Sequence, residues 1–176
     1  MTAWTLNSAN GVPAGWYMFD DMTDEPLTFE IVSGGTLYWS CTLSGTPRTI
    51  EYKLNDGEWT PITSTNETSL GVGGTEIGTF EAGDIIQFRG NNNSYSDTNS
   101  FSNGLTANDK VNRFYSDSNA IYYAYGNIMS LLNSTGYTTM SAMTGNYVFT
   151  HLFYENTGMY SHETKRIELP AKNNYK

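Results

Sequence analysis

The sequence is poor in the residues on which most protein chemistry depends. It holds one cysteine, Cys41, so no disulfide can form within the chain, and two histidines, His151 and His162. Lys and Arg total 9 against 18 Asp and Glu, a formal net charge of -9, and the basic residues occur singly rather than in a stripe. That scarcity argues against nucleic acid as a partner, because phosphate binding needs clustered positive charge. No window approaches the run of about 18 apolar residues that a membrane-spanning helix requires, which argues against membrane insertion. The opening Met1-Thr2-Ala3-Trp4-Thr5-Leu6-Asn7 has neither the basic stretch nor the apolar stretch of a secretory signal, so export by that route is not expected.

Catalytic words are missing as well. Gly-x-Ser-x-Gly, His-Glu-x-x-His and Gly-x-x-x-x-Gly-Lys do not occur. His151 stands in a Tyr- and Phe-rich segment with no Asp or Ser at motif spacing, so a structural or surface role is expected of it. Cys41 falls on the inward side of an alternating run and reads as a small buried hydrophobe. Asp20, Asp21, Asp24 and Glu25 supply oxygen ligands but not the spaced, glycine-centred loop of a calcium site, and read as a solvated charge run. The expectation is a chain with no catalytic residues, no metal and no cofactor.

Alternation and turns are abundant. Leu27, Phe29 and Ile31 alternate with Thr28, Glu30 and Val32 before Ser33-Gly34-Gly35; Leu37, Trp39 and Cys41 follow, and Ser44-Gly45-Thr46-Pro47 breaks the chain. Ile50, Tyr52 and Leu54 lead into Asn55-Asp56-Gly57, where Asp56-Gly57 is expected to supply the positive φ of a tight hairpin, and Trp59, Pro61 and Ile62 lead out. A Gly-rich stretch, Gly71 to Gly78, precedes the turn Glu81-Ala82-Gly83-Asp84 and the run Ile85 to Arg89. A period of two with turns at this spacing predicts half-buried strands, about five or six in the first ninety residues, arranged as a sandwich or barrel. With 176 residues the chain suits one domain or two small ones.

Past Arg89 the character changes. Gly90 to Asn112 is dense in Asn, Ser, Asp and Gly and reads as a long loop or a pair of weak strands. Strand-like runs resume at Arg113-Phe114-Tyr115 and Ala120 to Gly126. Asn127 to Leu132 predicts one or two helical turns, Met140 to Phe153 a short helix, and Arg166 to Pro170 one more strand. The expected organisation is an N-terminal docking segment at 1–25, a β-sandwich at 26–92, a linker at 93–112 and an α+β unit at 113–176.

Three words in the second half resemble a known family: Gly126-Asn127-Ile128-Met129-Ser130-Leu131-Leu132, Gly145-Asn146-Tyr147-Val148-Phe149-Thr150-His151-Leu152-Phe153-Tyr154, and Ile167-Glu168-Leu169-Pro170-Ala171. Together with the hairpin Tyr52-Lys53-Leu54-Asn55-Asp56-Gly57-Glu58-Trp59, they are similar to the BspA-like leucine-rich-repeat surface proteins of gut Bacteroidetes and of their phages. The resemblance implies a mainly β chain, an Ig-like β-sandwich followed by a small α+β leucine-rich-repeat-like cap unit. It also implies an exposed adhesive or structural module and not an enzyme. Relatives continue into tandem repeats where this sequence stops at Lys176. One repeat unit cannot bury its own face, so it must be capped by the β-domain, by another subunit or by further sequence.

Contact surfaces are expected where rings gather. Trp4, Trp16, Tyr17 and Phe19 crowd a segment with little periodicity, which gains either by docking on a neighbouring chain or by adding an edge strand to its own sandwich. Tyr115, Tyr122, Tyr123 and Tyr125 lie near Asn- and Ser-rich stretches, in a chain with 13 Tyr, and suit a protein interface or stacking on sugars, the interface being preferred. The function expected is a virion structural protein, a fibre, decoration or tail-associated subunit of a phage of gut Bacteroidetes at the virion surface, since lysis releases such a protein without a signal. Its partners would be other virion subunits, as a homo-oligomer, and a host surface glycan or protein. The alternative is a bacterial cell-surface adhesin or glycan-binding module.

Overall fold

The structure is a computed structural model and describes residues 6–7, 12–13, 16–19, 23–42, 47–69, 71–92, 112–140, 149 and 152–170. Its strands are β1 (Leu6–Asn7), β2 (Val12–Pro13), β3 (Trp16–Phe19), β4 (Leu27–Ser33), β5 (Gly35–Cys41), β6 (Thr49–Leu54), β7 (Thr60–Thr63), β8 (Thr65–Ser69), β9 (Val72–Gly73), β10 (Thr75–Phe80), β11 (Ile85–Gly90), β12 (Asn112–Ser116), β13 (Ile121–Asn127), β14 (Met159–Ser161) and β15 (Ile167–Pro170). Two 3-10 turns, Ile128–Leu131 and Tyr137–Thr139, are the only helical elements among the described residues. The chain is mainly β, with two mixed sheets packed together.

An eight-stranded sheet runs β3-β15-β13-β4-β11-β6-β7, with β14 beside β13; a five-stranded sheet holds β10, β5, β8, β9 and β12. Period-two alternation sends Phe29, Phe88 and Tyr122 of the larger sheet and Trp39 and Phe114 of the smaller one into the space between them, all at most 1% exposed. Their rings interlock, with centroids 4.5 Å apart for Phe29 and Tyr122, 4.8 Å for Phe29 and Phe88, and 4.6 Å for Trp39 and Phe114. Tilted rings at such spacings add quadrupole attraction to the burial of their area.

Three of the corners at which the chain passes between sheets are fixed by single residues. Gly34 separates β4 from β5, and a Cβ on the following Gly35 would lie 2.5 Å from the Ala120 backbone nitrogen, so only glycine fits there. Ser64 separates β7 from β8: its buried hydroxyl accepts from the Arg48 backbone N–H at 2.9 Å and donates to Asn112 Oδ1 at 2.6 Å. Asp117 closes the β12–β13 corner by accepting from the backbone N–H groups of Thr36, Asn119 and Ala120, each at 3.0 Å. Because the Ser64 corner splits one run into β7 and β8, and short strands form at β1–β3 and β9, the first ninety residues yield more and shorter strands than the five or six expected.

The segment 113–176, expected to be a unit of its own, supplies strands to both sheets. β12 pairs antiparallel with β5 and β13 antiparallel with β4, while β14 and β15 run parallel to β13. β3 lies parallel to β15, so the N-terminal segment contributes an edge strand to this sandwich. The word Gly126 to Leu132 is buried throughout. Asn127 accepts from the Met129 N–H at 2.9 Å to start the 3-10 turn, and Ser130 Oγ donates to the Phe88 carbonyl at 2.8 Å while accepting from Leu27 N–H at 3.0 Å. The helical turns expected here are thus present, as a plug against β4 and β11, and the final strand appears as β15. The helix expected over Met140 to Phe153 and the loop or strand pair over Gly90 to Asn112 fall largely outside the described residues.

The hairpin turn differs from expectation. The left-handed residue is Asn55, at φ 50°, and neither Asp56 nor Gly57 has a positive φ. Pairing of β6 with β7 stops at Tyr52 and Thr60, so a longer loop intervenes. The cause is tertiary: Asn55 donates its N–H to the Ile85 carbonyl at 2.7 Å and its side-chain oxygen accepts from Ile85 N–H at 2.9 Å, tying the loop to β11 instead of closing a two-residue turn.

Candidate functional site

The alternation that sends rings inward also decorates the outer face of the larger sheet. Registration of β13, β4, β11 and β6 places Tyr125 opposite Thr28, Thr28 opposite Gln87 and Gln87 opposite Lys53, in one row across four strands. Arg89 stands opposite Glu51 in the same sheet, and its Nε donates to Glu51 Oε2 at 2.7 Å.

At the β6 end of this row lies a cleft of about 660 Å³. Thr23, Asp24, Glu25 and Pro26 form one wall, Lys53, Trp59 and Arg89 another, with Gln87, Ser134 and Tyr137 completing the lining. The Arg89 guanidinium sits 4.1 Å from the Trp59 ring centroid and the Lys53 ammonium 5.3 Å from it, so two cations gather on one indole. Among the described residues, nothing accepts a hydrogen bond from Lys53 Nζ, the terminal nitrogens of Arg89, the Gln87 amide or Trp59 Nε1. The Tyr137 hydroxyl donates to the Asp24 carbonyl, and burial, reinforced by the Asp24 charge, pushes its pKa up.

Glu25 links the cleft to the tyrosines of β13. Its Oε1 accepts from Lys165 Nζ at 3.1 Å, and that ammonium lies 4.0 Å over the Tyr125 ring. Burial alone would lower the Lys165 pKa; Tyr125 and Glu25 outweigh it and raise it. His162 Nδ1 accepts from the backbone N–H groups of Thr164 and Lys165, both at 3.1 Å, leaving Nε2 3.8 Å from Glu30 Oε2 and the ring edge-on to Tyr123 and Tyr125. The imidazole is held in place by its own turn, a positioning arrangement suited to supporting the tyrosine face.

Of the eight aromatic residues expected at a contact surface, the four whose side chains are described, Tyr115, Tyr122, Tyr123 and Tyr125, do not share one exposed face. Tyr123 is half-buried on the outer face, and Tyr125 beside it is 1% exposed beneath Lys165. Tyr122 is a core residue instead of a contact residue: β13 alternation turns it onto Phe29, its hydroxyl accepts from Asn156 Nδ2, and burial raises its pKa. Tyr115 is on the outer face of the smaller sheet but is 6% exposed, stacked on Tyr38 at 4.8 Å, with its hydroxyl given to the Gly73 carbonyl and its pKa pushed up to about 12, chiefly by burial. Trp16, Tyr17 and Phe19 lie on β3, whose side chains, like Trp4 and His151, fall outside the described residues.

Sequence reading missed the cleft because its lining is drawn from segments as far apart as Thr23 and Tyr137, read separately as an acidic run, a hairpin exit and isolated basic residues. Among the described residues no group of three His, Cys, Asp or Glu side chains is placed to hold a metal; Asp20 and Asp21 fall outside them. No described helix is long and apolar enough to cross a membrane. In comparisons with known proteins, no family model, no curated protein and no solved structure matches this chain.

Proposed function

We propose that this chain is a non-enzymatic virion structural protein of a phage infecting gut Bacteroidetes, a fibre, decoration or tail-associated subunit that acts through protein–protein assembly and surface presentation. The observation that carries this reading is the outer face of the larger sheet, where Trp59, Tyr123, Lys53, Arg89 and Gln87 line a broad surface of ring faces and hydrogen-bonding groups. Such a surface suits recognition, since aromatic rings and arginine dominate contact energetics. Three of the described cations are set against carboxylates, at Arg113–Glu67, Arg89–Glu51 and Lys165–Glu25, an arrangement that neutralises charge instead of poising an acid beside a base.

The packed sheets are read as Ig-like, and 113–176 as the start of a leucine-rich-repeat region. Supporting this, the resembling word Gly126 to Leu132 forms a buried plug, and β12 and β13, paired edge to edge with β5 and β4, bury Phe114 and Tyr122 between the sheets, the cover that a lone repeat-like unit requires. The cleft favours a second reading, a bacterial cell-surface adhesin or glycan-binding module. Mass spectrometry of gradient-purified particles and of the host envelope separates the two. The virion reading expects peptides of this chain at structural stoichiometry in the particles. Recovery in the host envelope alone would replace it with the adhesin reading.

A further inference from the structure

The cleft between the 23–26 segment and the Lys53–Trp59–Arg89 wall is built from two chemically opposite sides. One side offers donors: the ammonium of Lys53, the terminal guanidinium nitrogens of Arg89, the Gln87 amide and the Trp59 indole N–H, none of which finds an acceptor among the described residues. The other side offers acceptors, the Asp24 carboxylate and the Glu25 oxygen that Lys165 does not take, with Ser134, whose hydroxyl donates to Asn91, at the margin. Sugar hydroxyls donate and accept at once, so a polyhydroxylated ring set between a donor wall and an acceptor wall satisfies both. A volume of about 660 Å³ lies within the range of small-molecule sites.

The positive charge narrows the ligand. The chain has 9 Lys and Arg against 18 Asp and Glu, yet two of those cations converge on one indole in this cleft. Glu51 takes only Nε of Arg89, fixing the guanidinium while leaving its outer edge for a planar anion. A carboxylate matches that edge. A phosphate dianion would meet more repulsion from Asp24 and Glu25 than a carboxylate with a single charge.

We propose that this cleft binds an acidic saccharide, a sugar bearing a carboxylate, with the carboxylate on Arg89 and Lys53 and the hydroxyls on Gln87, Asp24 and Glu25. It rests on the reading of the outer face as a recognition surface, but not on whether that face belongs to a particle or a cell. The test is isothermal titration of the full chain with trigalacturonic acid and with sialyllactose, using maltotriose and inorganic phosphate as controls. Expected are binding of at least one acidic probe, weakening with added salt, and a loss of about tenfold or more in affinity in Arg89→Gln and Lys53→Gln. Both positions are partly exposed, and circular dichroism verifies that the variants are folded. Binding of neither acidic probe, equal binding of maltotriose, tighter binding of phosphate, or affinity unchanged in both folded variants would each overturn the proposal. The particle mass spectrometry would stand whichever way the titration falls, so the two failures remain separate.

Discussion

Arg113 forks onto Glu67 in the interior: Nε donates to Oε2 at 3.0 Å and Nη2 to Oε1 at 2.8 Å, with the two side chains 2% and 3% exposed. Arg113 also donates Nη1 to the Tyr154 carbonyl at 2.7 Å, so one guanidinium joins β12, β8 and the turn after Leu152. Removing one partner leaves a buried charge without its counter-ion. Glu67→Gln is therefore expected to cost about 3–5 kcal/mol, and replacing both residues, as in Arg113→Met with Glu67→Leu, to recover most of it. Chemical denaturation of the single and double variants measures the difference.

Gly126 and Gly71 both have positive φ, 88° and 74°, but differ in their surroundings. A Cβ on Gly126 would lie 2.2 Å from the Pro26 carbonyl oxygen, whereas one on Gly71 meets nothing within 4 Å. Gly71→Ala should cost only the backbone strain, about 1–2 kcal/mol. Gly126→Ala must in addition push apart the plug and β4, and a loss clearly beyond that strain is expected in thermal melts.

Asp117 offers a pH signature. Burial pushes its pKa up, but the N–H groups of Thr36, Asn119 and Ala120 outweigh burial and hold it below the ordinary 3.8. A depressed carboxylate contributes stability that is full above its unfolded value and is lost as pH falls through its folded value. Melting curves from about pH 6 down to about pH 3 should show wild type losing more stability than Asp117→Asn, which at neutral pH should be weaker by about 1–3 kcal/mol.

Cys41 is fully buried, its thiol donates to Asn66 Oδ1, and burial raises its pKa. A thiol reagent should leave it untouched in the native protein and label it on denaturation, since the thiolate is the reactive form. Rapid labelling of the native chain would show that the β5–β8 junction opens.

The elements legible in the sequence are those set by near neighbours. Alternation from Leu27 to Arg89 locates β4, β6 and β11 because the apolar residues of each strand gather on the face turned to the core. The inward place of Cys41 follows from the same period. What the sequence does not display is pairing at a distance. The parallel partners of β13, and the bond from Ser64 to Asn112 across 48 positions, depend on corners whose local signal, a Gly or a Ser, is common. Tyr122 and Tyr123 look alike in composition; only the phase of β13 against Phe29 sends one inward and the other out. The cleft is legible afterwards as Asp24, Lys53, Trp59, Arg89 and Tyr137, and no single window contains it.

The most direct test of the central claim is immunogold electron microscopy of intact particles with an antibody raised against the exposed stretch 54–58, between Lys53 and Trp59. A virion subunit presenting this face predicts gold on the particle at regular positions. Particles without label, with the chain found only on the bacterial surface or free in lysate, would contradict it.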